Sequence, residues 1–266
     1  MFFAIPFPNI DPVIFEVGVF AVRWYSLAYI AGLVLGWWLM KRLCRLEPPV
    51  CERDAVDDFL VWATFGVILG GRLGMVLFYQ FDYYIANPAK IIAVWEGGMS
   101  FHGGFMGVVI AGIVFTRRRK IDPLRFGDLL GCVAPIGLFF GRIANFINGE
   151  LWGRTADVPW AMVFPSGGPD PRHPSQLYEA AFEGLLLFAV MMSLARLESV
   201  RRRPGLLMGT FVAGYGIARS FAEVFREPDA YIGFLAFGTT WGQWLSLPMI
   251  AIGIYFIVRA RRRDPV

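Results

Sequence analysis

Residues 132–154 read CVAPIGLFFGRIANFINGELWGR, an apolar run that passes directly into arginine, asparagine and glutamate. The apolar part has the composition of a membrane helix, where an arginine at the bilayer centre costs about 2.5–3.5 kcal/mol. Arg142, Asn145 and Glu150 therefore stand at the end of such a helix at a cost in free energy. The stretch predicts a membrane helix that ends in a polar site.

The rest of the chain has the composition of a polytopic membrane protein. Its 266 residues are 56% hydrophobic and 17% charged, whereas a soluble domain carries about 25% charged residues. A membrane-spanning helix needs about 17–25 mostly apolar residues. Seven segments qualify: 19–40, 58–80, 91–116, 126–147, 177–196, 204–222 and 241–259. We therefore predict an all-α polytopic membrane protein, a bundle of about seven transmembrane helices that forms one domain over residues 1–266.

The basic residues predict the orientation of this bundle. Seventeen of the 25 lysines and arginines lie in four clusters, at residues 41–53, 117–125, 196–203 and 259–263. All four clusters fall on one side of a seven-span bundle, and cytoplasmic loops carry such an excess of positive charge. The N-terminus is then outside and the C-terminus is cytoplasmic. Residues 148–176, rich in proline and glycine, are expected to form a small extracytoplasmic cap.

Four arginines outside those clusters fall within or at the ends of predicted spans, at a similar depth. They are Arg23, Arg72, Arg142 and Arg219. They are either separate side chains that reach the interface or parts of one anion site facing the bundle interior. The second interpretation is favoured because Arg142 shares a helical face with Asn145, and Arg219 with Tyr215. Since a guanidinium matches a phosphate with a planar pair of donors, the cluster predicts a site for an anionic lipid headgroup.

Two other groups of polar residues lie in or next to predicted spans. His102, with five glycines in residues 97–107, is expected near mid-membrane on a thin or broken helix that lines a cavity. It is either a functional residue or a satisfied core histidine. Glu179 and Glu183 lie one turn apart and favour a buried ion pair at a helix start. Residues 219–229, RSFAEVFREPD, carry alternating charge and are expected to pair with the arginine cluster or to gate it.

Four motifs together resemble one family. They are HGG(x)2G at 102–107, GRIANFINGELWGR at 141–154, HPSQLYE at 173–179 and YGxxR…E…FREPD at 215–229. With the seven spans, they make the whole chain similar to the bacterial prolipoprotein diacylglyceryl transferase family. The one departure in the second motif is Ala144, where family members often have glycine.

The resemblance implies a reaction at the outer leaflet of the bacterial cytoplasmic (inner) membrane. Members of the family move the diacylglyceryl group of phosphatidylglycerol onto the lipobox cysteine thiol in the signal peptide of a preprolipoprotein. The product is a thioether, and glycerol phosphate leaves. The implied partners are phosphatidylglycerol, the preprolipoprotein and membrane lipids, with no nucleic acid, metal or other cofactor. Because the nucleophile belongs to the substrate, Cys44, Cys51 and Cys132 should be dispensable for transfer.

Roles follow for individual residues under this resemblance. Arg142 and Arg219 are expected to bind the phosphate and stabilise the leaving group, and Tyr215 to donate a hydrogen bond to it. His102 is the expected general base, with an arginine-assisted deprotonation of the thiol as the alternative. Six further residues are predicted to bind or position substrate: Tyr25, Asn145, Asn148, Glu150, Gly153 and Glu223. Of these, Glu150 is expected to pair with an arginine, and the two asparagines to orient the arginines or the lipid glycerol.

A transporter or channel for an anionic lipid or a small anion is the alternative function. Glycine-rich spans and intramembrane arginines occur in such proteins as well. However, the sequence shows no inverted repeat, and seven spans do not divide into two equal halves.

Overall fold

The computed structural model describes residues 5–8, 10–17, 20–228 and 233–265, except for the side chains of residues 17 and 20. The chain divides into two compact units. The first consists of Met1–Leu43 with Gly127–Val266, and the second of Cys44–Phe126. The GRIANFINGELWGR stretch belongs to the first unit and His102 to the second.

Helices account for most of the described residues. In chain order they are α1 (Trp24–Leu43), α2 (Arg53–Gly74), α3 (Phe81–Ala86), α4 (Phe101–Arg119), α5 (Pro123–Ile147), α6 (Ser175–Glu179), α7 (Leu187–Ala195), α8 (Glu198–Arg201), α9 (Leu206–Ala222) and α10 (Trp241–Arg262). A π-helical stretch, Met75–Tyr79, continues α2, and another, Ala180–Leu186, joins α6 to α7 without a break. Three short 3-10 turns occupy Pro88–Ile91, Val94–Glu96 and Ala236–Gly238.

Four helical segments of the described chain are long and apolar enough to cross a membrane. They are Arg53–Tyr79, Pro123–Ile147, Ser175–Ala195 and Trp241–Arg262. The prediction of a largely helical membrane protein is confirmed. The helices α1, α4 and α9 lie at the other three predicted spans. None of these three is both long enough and apolar enough to be counted with the four segments above. Of these, α9 is a shorter apolar helix of 17 residues.

Short strands occur beside the helices, so the all-α class was too narrow. They are β1 (Ile5–Pro6), β2 (Val13–Val17), β3 (Phe20–Arg23) and β4 (Met162–Val163). β2 and β3 pair antiparallel, and β1 pairs parallel with β4. The predicted start of the first span at residue 19 is therefore wrong, because the segment before Trp24 is rich in the β-branched and aromatic residues that favour strands. Arg23 lies in β3 and not inside a helix.

The third predicted span also begins later than expected. Gly97 and Gly98 have φ angles of 84° and 75°, a backbone conformation that interrupts a helix and that glycine adopts without steric cost. Ser100 then caps α4 by accepting a hydrogen bond from the Gly103 N–H at 3.1 Å. His102 consequently lies in the first turn of α4, and not about ten residues inside a helix as predicted, and it is exposed. Its depth in the membrane stays a prediction.

The remaining glycines of this region bring α2 and α4 into close contact. A Cβ added at Gly66 would lie 2.8 Å from the carbonyl oxygen of Gly107. A Cβ at Gly70 would collide with the carbonyl oxygen of Gly103. Real Cβ atoms do not approach an oxygen this closely, so the backbones can touch only because both helices carry glycine along the crossing. The glycines predicted to thin a helix thus serve helix–helix packing.

In the first unit, two features position the ends of α5, α6 and α9. A Cβ at Gly209 of α9 would lie 2.8 Å from the carbonyl oxygen of Gly253 in α10, so these helices also meet through glycine. Residues 148–176 are held by backbone hydrogen bonds, two of which join Met162 and Arg172 at 2.9 and 2.8 Å. This segment leads the chain from the end of α5 to the start of α6.

The glycine crossing gives a stability prediction. Gly70→Ala should lower the free energy of unfolding by about 1–3 kcal/mol, because the added methyl group forces the α2 and α4 backbones apart. Gly112→Ala is the matched control in α4, since its Cβ would meet the Phe59 ring at an ordinary 3.7 Å. Unfolding of the detergent-solubilised protein measures both variants. Equal stability of the two variants would show that the crossing does not depend on Gly70.

Candidate active site

Two fully buried glutamates lie on one face of the helix that follows residues 148–176. Glu179 is the last residue of α6, and Glu183 lies in the π-helical stretch that joins α6 to α7. The side chains of both have 0% exposure. Residues four apart on a helix project from the same face, and π-helical turns are frequent at functional sites. The pair therefore presents two carboxylates to the neighbouring helices.

Arg142 of α5 contacts both carboxylates. Its Nη1 lies 3.0 Å from Glu179 Oε2. Its Nε and Nη2 donate to Glu183 Oε2 at 3.3 and 3.1 Å. The arginine that seemed costly at the end of an apolar run thus has its counterions on another helix.

Arg219 of α9 approaches the same two glutamates from the other side. Its Nη1 donates to Glu179 Oε1 at 2.5 Å and lies 3.6 Å from Glu183 Oε1. Its Nη2 donates to Glu223 Oε1, one helical turn further along the chain. The structure therefore brings Arg142 and Arg219 together, with the glutamates between them.

Glu223 and Arg226, in the segment after α9, complete the group. Glu223 Oε2 accepts a hydrogen bond of 2.6 Å from the hydroxyl of Thr240, which caps α10. Arg226 Nη1 donates to Glu179 Oε1 at 3.1 Å, and its Nε lies 3.7 Å from Glu223 Oε1. The alternating charges predicted to pair with the arginine cluster do so, although the last residue of that run, Asp229, lies outside the described residues.

These six side chains form what we call the buried ion network: Arg142, Arg219, Arg226, Glu179, Glu183 and Glu223. Its three positive and three negative formal charges cancel. Removing one partner from a buried ion pair costs about 3–5 kcal/mol, because the other charge stays buried without compensation. The opposite charges of the network thus lower the free-energy cost of burying each charged side chain. They also hold the arginine side chains in fixed positions.

The two arginines at the centre of the network have N–H donors that the described hydrogen bonds do not use. An arginine has five N–H donors. In the described hydrogen bonds Arg142 uses two of them, at Nε and Nη2, and its Nη1 lies 3.0 Å from Glu179 Oε2 as an ion pair. Arg219 uses one hydrogen on each terminal nitrogen. Their side chains are 16% and 15% exposed, so neither guanidinium is fully enclosed by the network.

Two tyrosines border the network. Tyr215 lies one turn before Arg219 on α9, stacks on Phe211 with ring centroids 6.3 Å apart, and is within electrostatic range of Glu183 and Arg142. Tyr25, near the start of α1, is within electrostatic range of Arg142, and its hydroxyl lies 3.4 Å from that of Tyr29. Both phenols therefore lie within the electrostatic influence of Arg142, and their contact with a ligand stays a prediction.

Comparison with known proteins decides the family. Residues 12–259 match the family model described as prolipoprotein diacylglyceryl transferase. The chain belongs to the prolipoprotein diacylglyceryl transferase family. A relative from Rhodospirillum rubrum, named phosphatidylglycerol–prolipoprotein diacylglyceryl transferase, is 60% identical over 100% of this chain and 98% of its own. Relatives of the same name from Rhodospirillum centenum and Paramagnetospirillum magneticum are 58% and 57% identical, over 96% and 99% of this chain and 94% and 98% of their own.

In this family member, two asparagines of the 141–154 motif hold the corner after α5. The Nδ2 groups of Asn145 and Asn148 donate to Glu150 Oε1 at 2.7 and 3.4 Å. The expectation that Glu150 pairs with an arginine is wrong. The helix α5 ends at Ile147, and the Glu150 N–H then donates to the Asn145 carbonyl oxygen at 3.1 Å. This turn places the Glu150 carboxylate beside the side-chain amides of Asn145 and Asn148. Whether these residues bind lipid stays a prediction.

Gly153 is a packing position in the same motif. It is buried, and its N–H donates to the His173 carbonyl oxygen at 2.9 Å. A Cβ at Gly153 would lie 2.6 Å from that oxygen. The glycine therefore lets the chain after α5 pass close to the segment before α6, which positions Glu179. Its predicted contact with substrate stays a prediction.

Arg72, in the second unit, is not available for an anion. Its five N–H donors all point to backbone carbonyls, those of Lys90, Ile91, Ala93, Gly97 and Gly98, at 2.5–3.0 Å. The side chain thereby fixes the turns between α3 and α4. The prediction that Arg72 joins a shared anion site is wrong, because a saturated guanidinium has no donor left for phosphate.

His102 belongs to the second unit, whereas the residues of the buried ion network belong to the first. Its ring is exposed and meets the Phe101 ring edge-on, with centroids 5.6 Å apart. Its role as a general base stays a prediction.

Sequence analysis did not assign Glu179 and Glu183 to the arginines. The available signal was two acidic residues one turn apart inside an otherwise apolar segment, which in a membrane requires a matching positive charge.

The network predicts a large effect of removing one carboxylate charge. Glu179→Gln should lower the free energy of unfolding by about 3–5 kcal/mol, because Arg142, Arg219 and Arg226 then share one counterion fewer. Glu198→Gln is the control, since Glu198 forms an exposed i,i+4 pair with Arg202 that contributes about 0.3–0.5 kcal/mol. Denaturant unfolding in detergent measures both. If Glu179→Gln were as stable as Glu198→Gln, Glu179 would not organise the network.

Proposed function

We propose that this chain transfers the diacylglyceryl group of phosphatidylglycerol to the lipobox cysteine thiol of preprolipoproteins. The observation that carries the proposal is the position of Arg142 and Arg219, which come from two helices, share two buried glutamates and keep unused donors. A guanidinium pair of this kind suits a lipid phosphate. The names of the relatives at 57–60% identity support the same reaction. A transporter or channel for an anion is not favoured by these comparisons.

The reaction is a displacement at a carbon of the lipid glycerol. The thiolate sulfur forms a C–S bond, while the C–O bond to the phosphate breaks. Glycerol phosphate then leaves with the electron pair of that bond. Arg142 and Arg219 donate to the phosphate oxygens as negative charge grows on them, which is where preorganised donors lower a barrier most. Tyr215 and Tyr25 add neutral hydrogen bonds to the phosphate or headgroup.

The glutamates of the network orient the arginines. An unrestrained guanidinium in a membrane would turn toward water or toward any nearby anion. Glu179 and Glu183 hold Arg142 and Arg219 in one relative orientation before the lipid arrives. Lipid binding then costs less free energy, because the arginine side chains are already ordered before the lipid arrives. We assign Glu223 to the same positioning role, since it contacts Arg219 and is fixed by Thr240.

The thiol proton needs an acceptor, because a cysteine has a pKa of about 8.5 and reacts as the thiolate. We propose His102 as the general base, with an arginine-assisted deprotonation as the alternative. His102 is the second residue of α4, at the helix end that the predicted topology assigns to the outside. An exposed imidazole at that end is accessible to a thiol carried by a peptide substrate.

The proposed setting is the outer leaflet of the bacterial cytoplasmic membrane. With α1, α4 and α9 as further spans beside the four long apolar segments, the N-terminus is outside and the four basic clusters are cytoplasmic. Residues 148–176 then form an extracytoplasmic cap within a single membrane-embedded domain. Phosphatidylglycerol enters from the membrane, and the signal peptide of the preprolipoprotein presents its lipobox cysteine from the same side.

The direct test is an assay with purified components. The detergent-solubilised protein is incubated with phosphatidylglycerol and a peptide that contains a lipobox cysteine, and the peptide is analysed by mass spectrometry. The proposal predicts addition of one diacylglyceryl group to the cysteine sulfur and release of glycerol phosphate. A peptide that keeps its mass, while the protein moves lipid or anion across vesicle membranes, would favour the transporter instead.

Arg142→Lys tests the phosphate role within this assay. Lysine keeps the charge but loses the planar set of donors, so kcat/KM should fall by about 100-fold or more. Arg202→Lys is the control, because Arg202 forms an exposed pair with Glu198 on α8. Wild-type turnover by Arg142→Lys would show that Arg142 does not bind the phosphate.

A further inference from the structure

Two thiols face each other in the loop between α1 and α2. The Sγ atoms of Cys44 and Cys51 are 3.3 Å apart. Both cysteines are free; Cys44 is buried and Cys51 is half-buried. The proposed transfer reaction uses neither of them, since its nucleophile comes from the substrate.

The surroundings of the pair favour thiol chemistry. Arg125 donates from Nη2 to the Pro48 carbonyl oxygen at 2.6 Å, which fixes the middle of the loop, and its charge acts on Cys51. The hydrogen bond shared with Cys51 lowers the pKa of the Cys44 thiol, and the same bond raises the pKa of Cys51. The thiolate is the reactive form of a cysteine. The hydrogen bond therefore makes the Cys44 thiolate easier to form than it would be at a buried cysteine without such a partner.

We propose that Cys44 and Cys51 are a reversible oxidation site that forms an intramolecular disulfide with a small-molecule disulfide as oxidant. One protein thiolate attacks the small disulfide and releases one small thiol. The second protein thiol displaces the other small thiol and forms the S–S bond. Two protein thiols are oxidised, and one small disulfide is reduced to two thiols.

The geometry requires little movement. A disulfide holds its sulfurs about 2.05 Å apart, so the two atoms approach by roughly 1.3 Å from their separation in the reduced protein. The bond closes a loop of eight residues, Cys44 to Cys51, which is already in place. With the proposed topology this loop is cytoplasmic, where disulfides are transient and report oxidation of the thiol pool. The site is separate from the proposed transferase chemistry.

Cys132 is an internal reference within the same chain. It is buried in α5, a helix long and apolar enough to cross a membrane, with 1% of its surface exposed. A small polar disulfide therefore reaches it less readily than it reaches the loop between α1 and α2. Cys132 should therefore stay a free thiol under oxidation. Its alkylation after unfolding gives a constant signal against which the loss of alkylation at Cys44 and Cys51 is measured. Cys132→Ser is the corresponding control variant.

The test titrates the full-length protein in detergent with mixtures of reduced and oxidised glutathione. Samples are quenched in acid, unfolded, alkylated with N-ethylmaleimide and digested, and the peptides are identified by mass spectrometry. We expect a peptide pair linked through Cys44 and Cys51, lacking two hydrogens, that disappears when excess reduced glutathione is restored. Cys132 should remain alkylated throughout. Full alkylation of all three cysteines in excess oxidised glutathione, or a link that involves Cys132, would overturn the proposal.

Three variants test the exchange route without relying on transferase activity. In Cys44→Ser or Cys51→Ser one thiol of the pair is missing, so the remaining thiol should accumulate as a glutathione adduct that the wild type shows only in passing. In Cys132→Ser the linked pair should form as in the wild type. If neither Cys44→Ser nor Cys51→Ser forms an adduct, or if Cys132→Ser forms no linked pair, the Cys44–Cys51 site is contradicted. Retained diacylglyceryl transfer in all three variants would leave the proposed function standing in either case.

Discussion

The pairing of Arg142 and Arg219 with Glu179 and Glu183 is the constraint on which the first unit depends. An arginine among apolar residues is stable only with a counterion, and a buried glutamate has the same need. Here α5, the α6–α7 segment and α9 each contribute charges that the others neutralise, and Thr240 ties the start of α10 to Glu223. The helices are therefore held together at their polar ends by electrostatics, where apolar packing alone would not fix their register.

The same arrangement separates two kinds of arginine. Arg72 gives all five donors to backbone carbonyls and so has a structural role, fixing the turns before α4. Arg142 and Arg219 give only part of their donors to carboxylates. The depth predicted from the sequence is similar for both kinds, whereas the number of N–H donors that are already hydrogen-bonded differs. This difference is what supports a binding role for the second kind.

Much of this could be predicted from the sequence, and the failures have physical reasons. The apolar spans, and the closeness of Arg142 to Tyr215 and Arg219, follow from hydropathy and helical periodicity. The late start of α4 could not be predicted in this way, because Gly97 and Gly98 are compatible with a helix and with a break in it. Their positive φ angles in the structure show that they interrupt the helix. The partners of Arg72 and the counterions of Arg142 come from other segments, so local pattern could not identify them. Glu150 was misassigned because its partner depends on how the chain turns after α5.

The measurement that tests the central claim most directly is lipid binding that separates the phosphate from the acyl chains. Affinities of the wild type and Arg142→Lys are compared for phosphatidylglycerol and for uncharged diacylglycerol. If the network holds Arg142 for the phosphate, the variant binds phosphatidylglycerol about 10- to 100-fold more weakly, as expected for lost hydrogen bonds to a charged group, and binds diacylglycerol unchanged. Equal affinity of both proteins for phosphatidylglycerol, or equal weakening for the two lipids, would contradict the account.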